Sequence, residues 1–239
     1  MAELIFDGYE KQIFTTEDPS IVLLHYKDDT TAYGGIKRAV FKGKGGLNCR
    51  ISALAFEALA ANGVPTHYIG AAGPCEQYCR KVDIIPLHVI VRNYIAGSTA
   101  DLLGLEEGFK PSNVVYELCY DNEGLSSPLI NDHHAVALGI VSYEELDVIY
   151  DLVKKANKVL VELFHKAGIR LVDYRVELGH TADGEIIIAD EISPDTSRLW
   201  DEATGERLDK DRFRHDLGDV RESYAEVLRR LESVKEAEK

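Results

Sequence analysis

The segment from Leu171 to Trp200, LVDYRVELGHTADGEIIIADEISPDTSRLW, constrains the fold more than any other stretch of the chain. Side chains two apart on a strand share a face, so Asp173, Arg175 and Glu177 line one side of LVDYRVEL. Val172, Tyr174, Val176 and Leu178 line the other. Asp183-Gly184 is a two-residue hairpin signal, and the β-branched run EIIIADEI beyond it suits a returning strand. With those two residues as the turn, Ala182 faces Glu185, and counting outwards brings Glu177 opposite Asp190. Like charges directly opposed across an antiparallel pair are unfavourable, so this register needs compensation. Mg²⁺, which takes hard oxygen ligands such as carboxylates and phosphates, is one form of it. A solvated polar face, as any half-exposed antiparallel hairpin has, is the other reading.

The 41 acidic and 27 basic residues among 239 give a formal charge of −14. Nucleic acids and anionic membranes are polyanions, so neither is an expected partner. Small anionic ligands remain compatible where cations gather locally, as at Arg198 in SPDTSRLW and at Lys210, Arg212 and Arg214 in DKDRFR. No apolar run approaches the ~20 residues of a membrane span, and MAELIFDGYEK lacks the marks of a signal peptide, so a cytoplasmic protein is expected. Cys49, Cys75, Cys79 and Cys119 are too scattered for a disulfide framework. Cys75 and Cys79 would share a face if GPCEQYCRK were helical, but a structural zinc site needs four ligands.

Two strands, over Gln12–Phe14 and Ser20–Tyr26, open a hairpin-rich sheet. Ile51, Leu54, Ala55, Ala58 and Leu59 give Asn48–Asn62 helical spacing, with Gly63 to end it. VDIIPLHVIVRN is extended because Pro86 opposes a helix interior, and a domain boundary falls near Ile84 to Pro86. Ser142 and Glu145 form a capping box for a helix closed by Gly168, and a last helix follows Asp219. Neither GxxxxGK[ST] nor GxGxxG after a strand occurs. KGKGG (Lys42–Gly46) reads as an anion cradle or a plain surface loop, and Gly8-Tyr9-Glu10-Lys11 as a phosphate-covering turn or an ordinary hairpin. Arg92, with Gly97 and Ser98 following, reads as an anion site or a structural salt bridge.

DDTTAYGG (Asp28–Gly35), KGKGGLN (Lys42–Asn48), VIVRNYIAGS (Val89–Ser98), LVDYRVELG, ADEISPDTSRLWD and LDKDRFRHDLG (Leu208–Gly218) run in one order over essentially the whole chain. In these blocks the sequence resembles the SAICAR synthetase (phosphoribosylaminoimidazole-succinocarboxamide synthase) family of purine biosynthesis. The resemblance implies a two-lobed α+β fold, kinase- or ATP-grasp-like in outline. Antiparallel sheets carry flanking helices around an ATP cleft, with a small nucleotide lobe over 1–84 and a larger substrate and metal lobe over 85–239. It implies an ATP-dependent ligase joining L-aspartate to carboxyaminoimidazole ribonucleotide, with Mg²⁺, in a homodimer. Implied at the nucleotide are Gly8, Lys11, Ile13, Val22, Lys81, Val82, Ile84, Glu177 and Asp190, the last two also holding the metal. Implied at the other substrates are Arg92, Ser98, Asp195, Ser197, Arg198 and Arg214. Lys11, Arg175, Asp195 and Arg198 would be catalytic. The chain departs from the family pattern at Tyr9 and Glu10, where a lysine and a small residue are usual, and at Arg175, usually lysine. Tyr9 could then lie over the nucleotide with Glu10 turned to solvent. AAGPCEQYCRK also matches poorly. A small-molecule kinase of similar architecture and a nucleotide-binding protein without turnover are the competing readings.

Overall fold

The computed structural model describes residues 2–237. Strands β1 (Leu4–Asp7), β2 (Lys11–Thr15) and β3 (Ile21–Tyr26) form an antiparallel meander. β4 (Asp29–Ala32) and β5 (Lys37–Val40) make a separate hairpin, followed by helix α1 (Lys44–Ala61). β6 (Tyr68–Gly73) and β7 (Glu76–Arg80) complete the first sheet, in the order β1-β2-β3-β7-β6. AAGPCEQYCRK is therefore a hairpin with Cys75 in its turn, and not a helix that would pair Cys75 with Cys79. Burial pushes the Cys49 and Cys79 thiols up to about 12, which keeps them protonated and poor metal ligands.

β8 (Asp83–Arg92), α2 (Ser98–Leu103), β9 (Val115–Tyr120), β10 (Leu129–Ile130), α3 (Asp132–Ala137) and α4 (Tyr143–Lys166) follow. The chain ends with β11 (Ile169–His180), β12 (Ile186–Ala189), β13 (Ser197–Asp201), α5 (Asp211–Arg214) and α6 (Val220–Ala237). The second sheet runs β10-β9-β8-β11-β12, with β13 also paired to β11. β11 is its spine: one edge pairs with β8, and the other is shared between β13, over Ile169–Tyr174, and β12, over Glu177–His180.

The Ser142–Glu145 capping box forms, with Ser142 Oγ accepting from Glu145 N at 3.1 Å and Glu145 Oε2 accepting from Ser142 N at 2.7 Å. α4 buries Leu146, Ile149, Val153, Leu160 and Phe164 against the second sheet, in a core joined by Ile51, Phe56 and Leu59 of α1. A smaller core, of Val22, Leu24, Tyr26, Cys49 and Cys79, lies under the first sheet. α1 thus belongs to both cores and joins the lobes. It starts one turn earlier than its apolar spacing suggests. The Asp28 carboxylate accepts from Gly43 N at 2.9 Å and Gly45 N at 3.0 Å, and so satisfies amides at the helix start from outside the helix. KGKGG is consequently the entry to α1. A Cβ on Gly45 would lie 2.4 Å from the Tyr26 carbonyl oxygen, a close approach that only glycine allows.

The β11–β12 hairpin forms in a register one residue away from that of a two-residue turn. Gly184 N donates to Thr181 O and Thr181 N to Glu185 O, both at 2.9 Å, leaving three residues in the loop with Gly184 at φ 81°. A three-residue loop with a left-handed glycine is the next hairpin solution after the two-residue turn. Glu177 therefore faces Ala189, and not Asp190.

Candidate active site

Asp190 lies one residue beyond β12 and has a left-handed backbone, φ 62°, which aspartate tolerates better than most side chains. There its carboxylate still shares a cation with Glu177. Arg175 NH2 lies 3.5 Å from Glu177 Oε1 and 3.7 Å from Asp190 Oδ2. Lys11, from the first sheet, ion-pairs with Asp190 and stands 3.5 Å from Glu191 Oε1. Two cations from different lobes thus lie among three carboxylates. His88 Nε2, 3.2 Å from Glu177 Oε1 and 3.3 Å from Asp121 Oδ1, buttresses Glu177 from β8. Burial opposes ionisation of Glu177, but the His88 hydrogen bond and the Arg175 and Lys11 charges outweigh it and hold its carboxyl at about 2.

Next to this group the Asp195 carboxylate is wholly buried and fully engaged. Lys44 Nζ and Asn48 Nδ2 each donate to Oδ2 at 2.6 Å, and Tyr224 OH donates to Oδ1 at 2.7 Å. Burial would raise its pKa, but the Lys44 and Lys210 charges prevail and hold it well below the usual carboxylate range. Glu10 does not turn to solvent. It pairs with Lys210 and accepts from Thr31 N at 3.2 Å. Glu10, Glu191 and Asp195 bring carboxylate oxygens within 4.8 Å of one another, but Lys210, Lys11 and Lys44 already attend them, so this triad is a charge-balanced cluster.

A third group alternates in charge. Arg92 donates through Nε and NH2 to Glu117 Oε2, at 2.9 and 2.8 Å, and through NH1 to Asp173 Oδ2 at 2.8 Å. Arg198 shares Asp173, at 2.9 Å, and donates through Nε to Asp211 Oδ2 at 2.8 Å, while Arg214 reaches Asp211 Oδ1 at 2.6 Å. A Cβ on Gly97 would lie 2.3 Å from Arg198 NH2, so glycine there admits the guanidinium. Ser98 is exposed just beyond Gly97, whereas the Ser197 hydroxyl is buried in β13 without a hydrogen-bond partner.

Of the residues expected around a nucleotide, Ile13 and Val22 pack together in the smaller core, beside the Gly8 turn that carries Lys11. Lys81, Val82 and Ile84 lie where the chain passes from first sheet to second, with Lys81 N donating to Ser20 O at 2.7 Å. Lys81 and Val82 line a cleft of about 590 Å³ with Ile21 and the β11–β12 turn, and neither Glu177 nor Asp190 is part of its lining. Sequence reasoning did not find Glu117, Asp211, Asn48, Tyr224, Glu191 or His88. Asp211 could have been suspected from the alternating charges of DKDRFR, but nothing local marks the others.

The sequence model of the SAICAR synthetase family matches residues 4–231. The chain belongs to the SAICAR synthetase family. It is 53% identical over 232 residues, 97% of each chain, to the phosphoribosylaminoimidazole-succinocarboxamide synthase of Dichelobacter nodosus (strain VCS1703A). Its fold is similar to the crystal structure of the synthase from Ehrlichia chaffeensis, with a TM-score of 0.94 and 39% identity over 96% of this chain and 98% of that one. It is also similar to a SAICAR synthetase in complex with ADP, with a TM-score of 0.93 and 42% identity over 96% of this chain and 97% of that one. The two-lobed α+β fold is thus that of the family, and a kinase of similar outline is not favoured.

His67 is a further group beside the SAICAR synthetase site, 3% exposed, with neither ring nitrogen hydrogen-bonded. Its ring lies edge-on to Phe56, with centroids 5.1 Å apart. Burial, assisted by the Lys11 charge, holds its pKa down at about 3, against an ordinary 6.5. The folded protein keeps the ring neutral where the unfolded chain would bind a proton. The stability this confers is complete above pH 6.5 and falls with pH towards 3, by about 2 kcal/mol at pH 5. His67→Phe, which keeps a ring against Phe56, is expected to lose roughly 4–8 °C less in Tm between about pH 7 and pH 5 than the parent. Parallel Tm curves for the two proteins would show that His67 does not titrate on unfolding.

Proposed function

We propose that the protein joins L-aspartate to the carboxylate of carboxyaminoimidazole ribonucleotide, converting ATP to ADP and phosphate and giving SAICAR. A carboxylate is a poor electrophile. Phosphorylation by ATP makes an acyl phosphate; the free aspartate amine then attacks its carbonyl carbon, the C–O bond to phosphate breaks, and the nitrogen gives up one proton and keeps the amide N–H. The observation that carries this reading is the meeting of Lys11 and Arg175, from the two lobes, over the carboxyl groups of Glu177 and Asp190. Such an array balances charge on a phosphoryl group in transit, and cations already in position need no reorganisation at the moment of reaction.

Glu177 and Asp190 fit Mg²⁺. Both are hard oxygen donors that share Arg175, and the buried Glu191 Oε2 nearby has no hydrogen-bond partner. The ion, when bound, would neutralise phosphate charge. The part of Arg175, a planar guanidinium, is electrostatic and positional. Arg92, Arg198 and Arg214 offer guanidinium forks to the anionic groups of the ribonucleotide and of aspartate, beside Ser98 and Ser197. Asp195 holds Lys44 of the other lobe in place. Gly8, Ile13, Val22, Lys81, Val82 and Ile84 surround the nucleotide, in a small lobe over 1–84 against a substrate lobe over 85–239. Leu102 and Leu103 of α2, 71% and 56% exposed, offer an apolar face that a second copy of the chain could cover, which supports a homodimer. The four cysteines are free and no helix of the described residues is long and apolar enough to cross a membrane, which suits a cytoplasmic enzyme.

The test is to incubate the purified protein with ATP, Mg²⁺, L-aspartate and carboxyaminoimidazole ribonucleotide, omitting each in turn. ADP and SAICAR are expected in equal amounts, and only in the complete mixture. ADP release without aspartate would refute the ligase, and nucleotide binding without turnover would leave only a binding protein.

A further inference from the structure

The Gly8–Lys11 turn, closed by a 2.9 Å hydrogen bond from Gly8 N to Lys11 O, carries one cation of its own. That cation, Lys11, is already engaged by Asp190 and Glu191. A second cation comes to the turn from elsewhere. The Arg38 guanidinium, on β5, lies 4.7 Å from the centre of the Tyr9 ring, and its NH2 donates to Tyr9 OH at 3.0 Å. Arg38 Nε donates to Gly35 O at 2.8 Å. Gly35 has φ 84°, a left-handed backbone that favours glycine, and so shapes the β4–β5 turn whose carbonyl holds Arg38. Among the described residues Arg38 forms no ion pair. Lys27 and Lys210, the other cations near the turn, are by contrast paired, with Asp7 at 3.2 Å and with Glu10.

The hairpin that presents Arg38 is fastened to the same turn. Glu10 accepts from Thr31 N at 3.2 Å and from Thr30 Oγ1 at 3.4 Å, both on β4. The two central residues of the turn therefore act together: Glu10 ties down the hairpin, and Tyr9 orients its arginine. An arginine stacked on an aromatic ring, hydrogen-bonded on two sides and lacking a carboxylate, is pre-organised for an anionic oxygen.

We propose that Arg38, presented by the Tyr9 ring, contacts the phosphate groups of the bound nucleoside triphosphate and supplies the second cation of the Gly8–Lys11 turn. The inference rests on the proposed nucleotide role of that turn. One charge-assisted hydrogen bond to phosphate is at stake, so Arg38→Gln is expected to weaken ATP binding about tenfold. Adenosine, which has no phosphate, is expected to bind equally well to both proteins. Returning a cation directly to the turn with Tyr9→Lys, in the Arg38→Gln background, is expected to recover most of the lost ATP affinity. Calorimetric titration of the full chain with ATP and with adenosine reads all three. If Arg38→Gln binds ATP as the parent does, or loses ATP and adenosine affinity alike, the assignment of Arg38 is overturned while the nucleotide site stands. A parent protein that binds no ATP would overturn the proposed function along with it.

Discussion

Asp190→Asn is expected to lower SAICAR synthesis roughly 100-fold or more at a fixed, subsaturating Mg²⁺ concentration while leaving the fold intact. The substitution keeps size and shape, and asparagine accepts the left-handed backbone at φ 62° as readily as aspartate does. What it removes is the charge that pairs with Lys11 and lies 3.7 Å from Arg175. Lys11 and Arg175 would then stand over Glu177 with one compensating carboxylate fewer, and a divalent cation would lose a hard ligand. Part of the loss should return as Mg²⁺ is raised, because a weaker site can be filled by mass action. Synthesis measured across a Mg²⁺ titration, with thermal unfolding as the control for folding, decides the matter. Unchanged synthesis at every Mg²⁺ concentration, with the protein folded, would remove Asp190 from the metal assignment.

Where the determinants were local, the sequence was a good guide. Ser142 and Glu145 are three apart and form their box. The long helix behind them buries Leu146, Ile149, Val153 and Leu160 as their spacing demands. The hairpin is where Asp183-Gly184 put it, but Thr181 and Gly184 select a longer loop, and the register moves by one residue. A one-residue slip reverses the facing of every side chain on a strand, so Asp190 should have been carried away from Glu177. It is not, because the strand has already ended at Ala189 and the left-handed turn at Asp190 brings the carboxylate back. The two carboxylates share Arg175, although the pairing that suggested it is absent.

What could not be read were the partners that only the folded chain supplies. α1 begins at Lys44 because Asp28, fifteen residues before Gly43, accepts from its first amides. Arg92 was legible as a buried guanidinium in need of a carboxylate. That Glu117 would hold it through two nitrogens depends on β8 and β9 pairing, which brings Arg92 opposite Val115. Glu10 looked like an outward residue of a turn. Its direction is set by Lys210, two hundred residues on, and by the β4–β5 hairpin, which no spacing within FDGYEK records.

The same dependence on distant partners makes Lys44 the residue whose loss should cost the fold most. Lys44 and Asp195 are buried at 1% and 0% side-chain exposure, 2.6 Å apart, in a setting where neither charge has water to fall back on. Removing one member of such a pair leaves the other charge buried without compensation, at a cost of about 3–5 kcal/mol. Lys44→Met keeps much of the length of the side chain and is therefore expected to lower Tm by roughly 10 °C in a domain of this size. Adding Asp195→Asn to Lys44→Met should restore much of that loss. With its amide oxygen in the place of Oδ2, position 195 can still accept from Asn48 Nδ2 while its amide nitrogen donates to the Tyr224 hydroxyl, and neither charge of the pair remains. A double-mutant cycle of unfolding free energies measures the coupling directly, and additive effects would show that the pair is not coupled. The double variant also separates support from chemistry. Thermal stability should come back, whereas synthesis should not, because the pair that fixes Asp195 between α1 and α6 beside Glu191 has gone. Synthesis returning together with stability would reduce Lys44 and Asp195 to packing partners and leave the arginines of the Asp173 row to hold the ribonucleotide unaided.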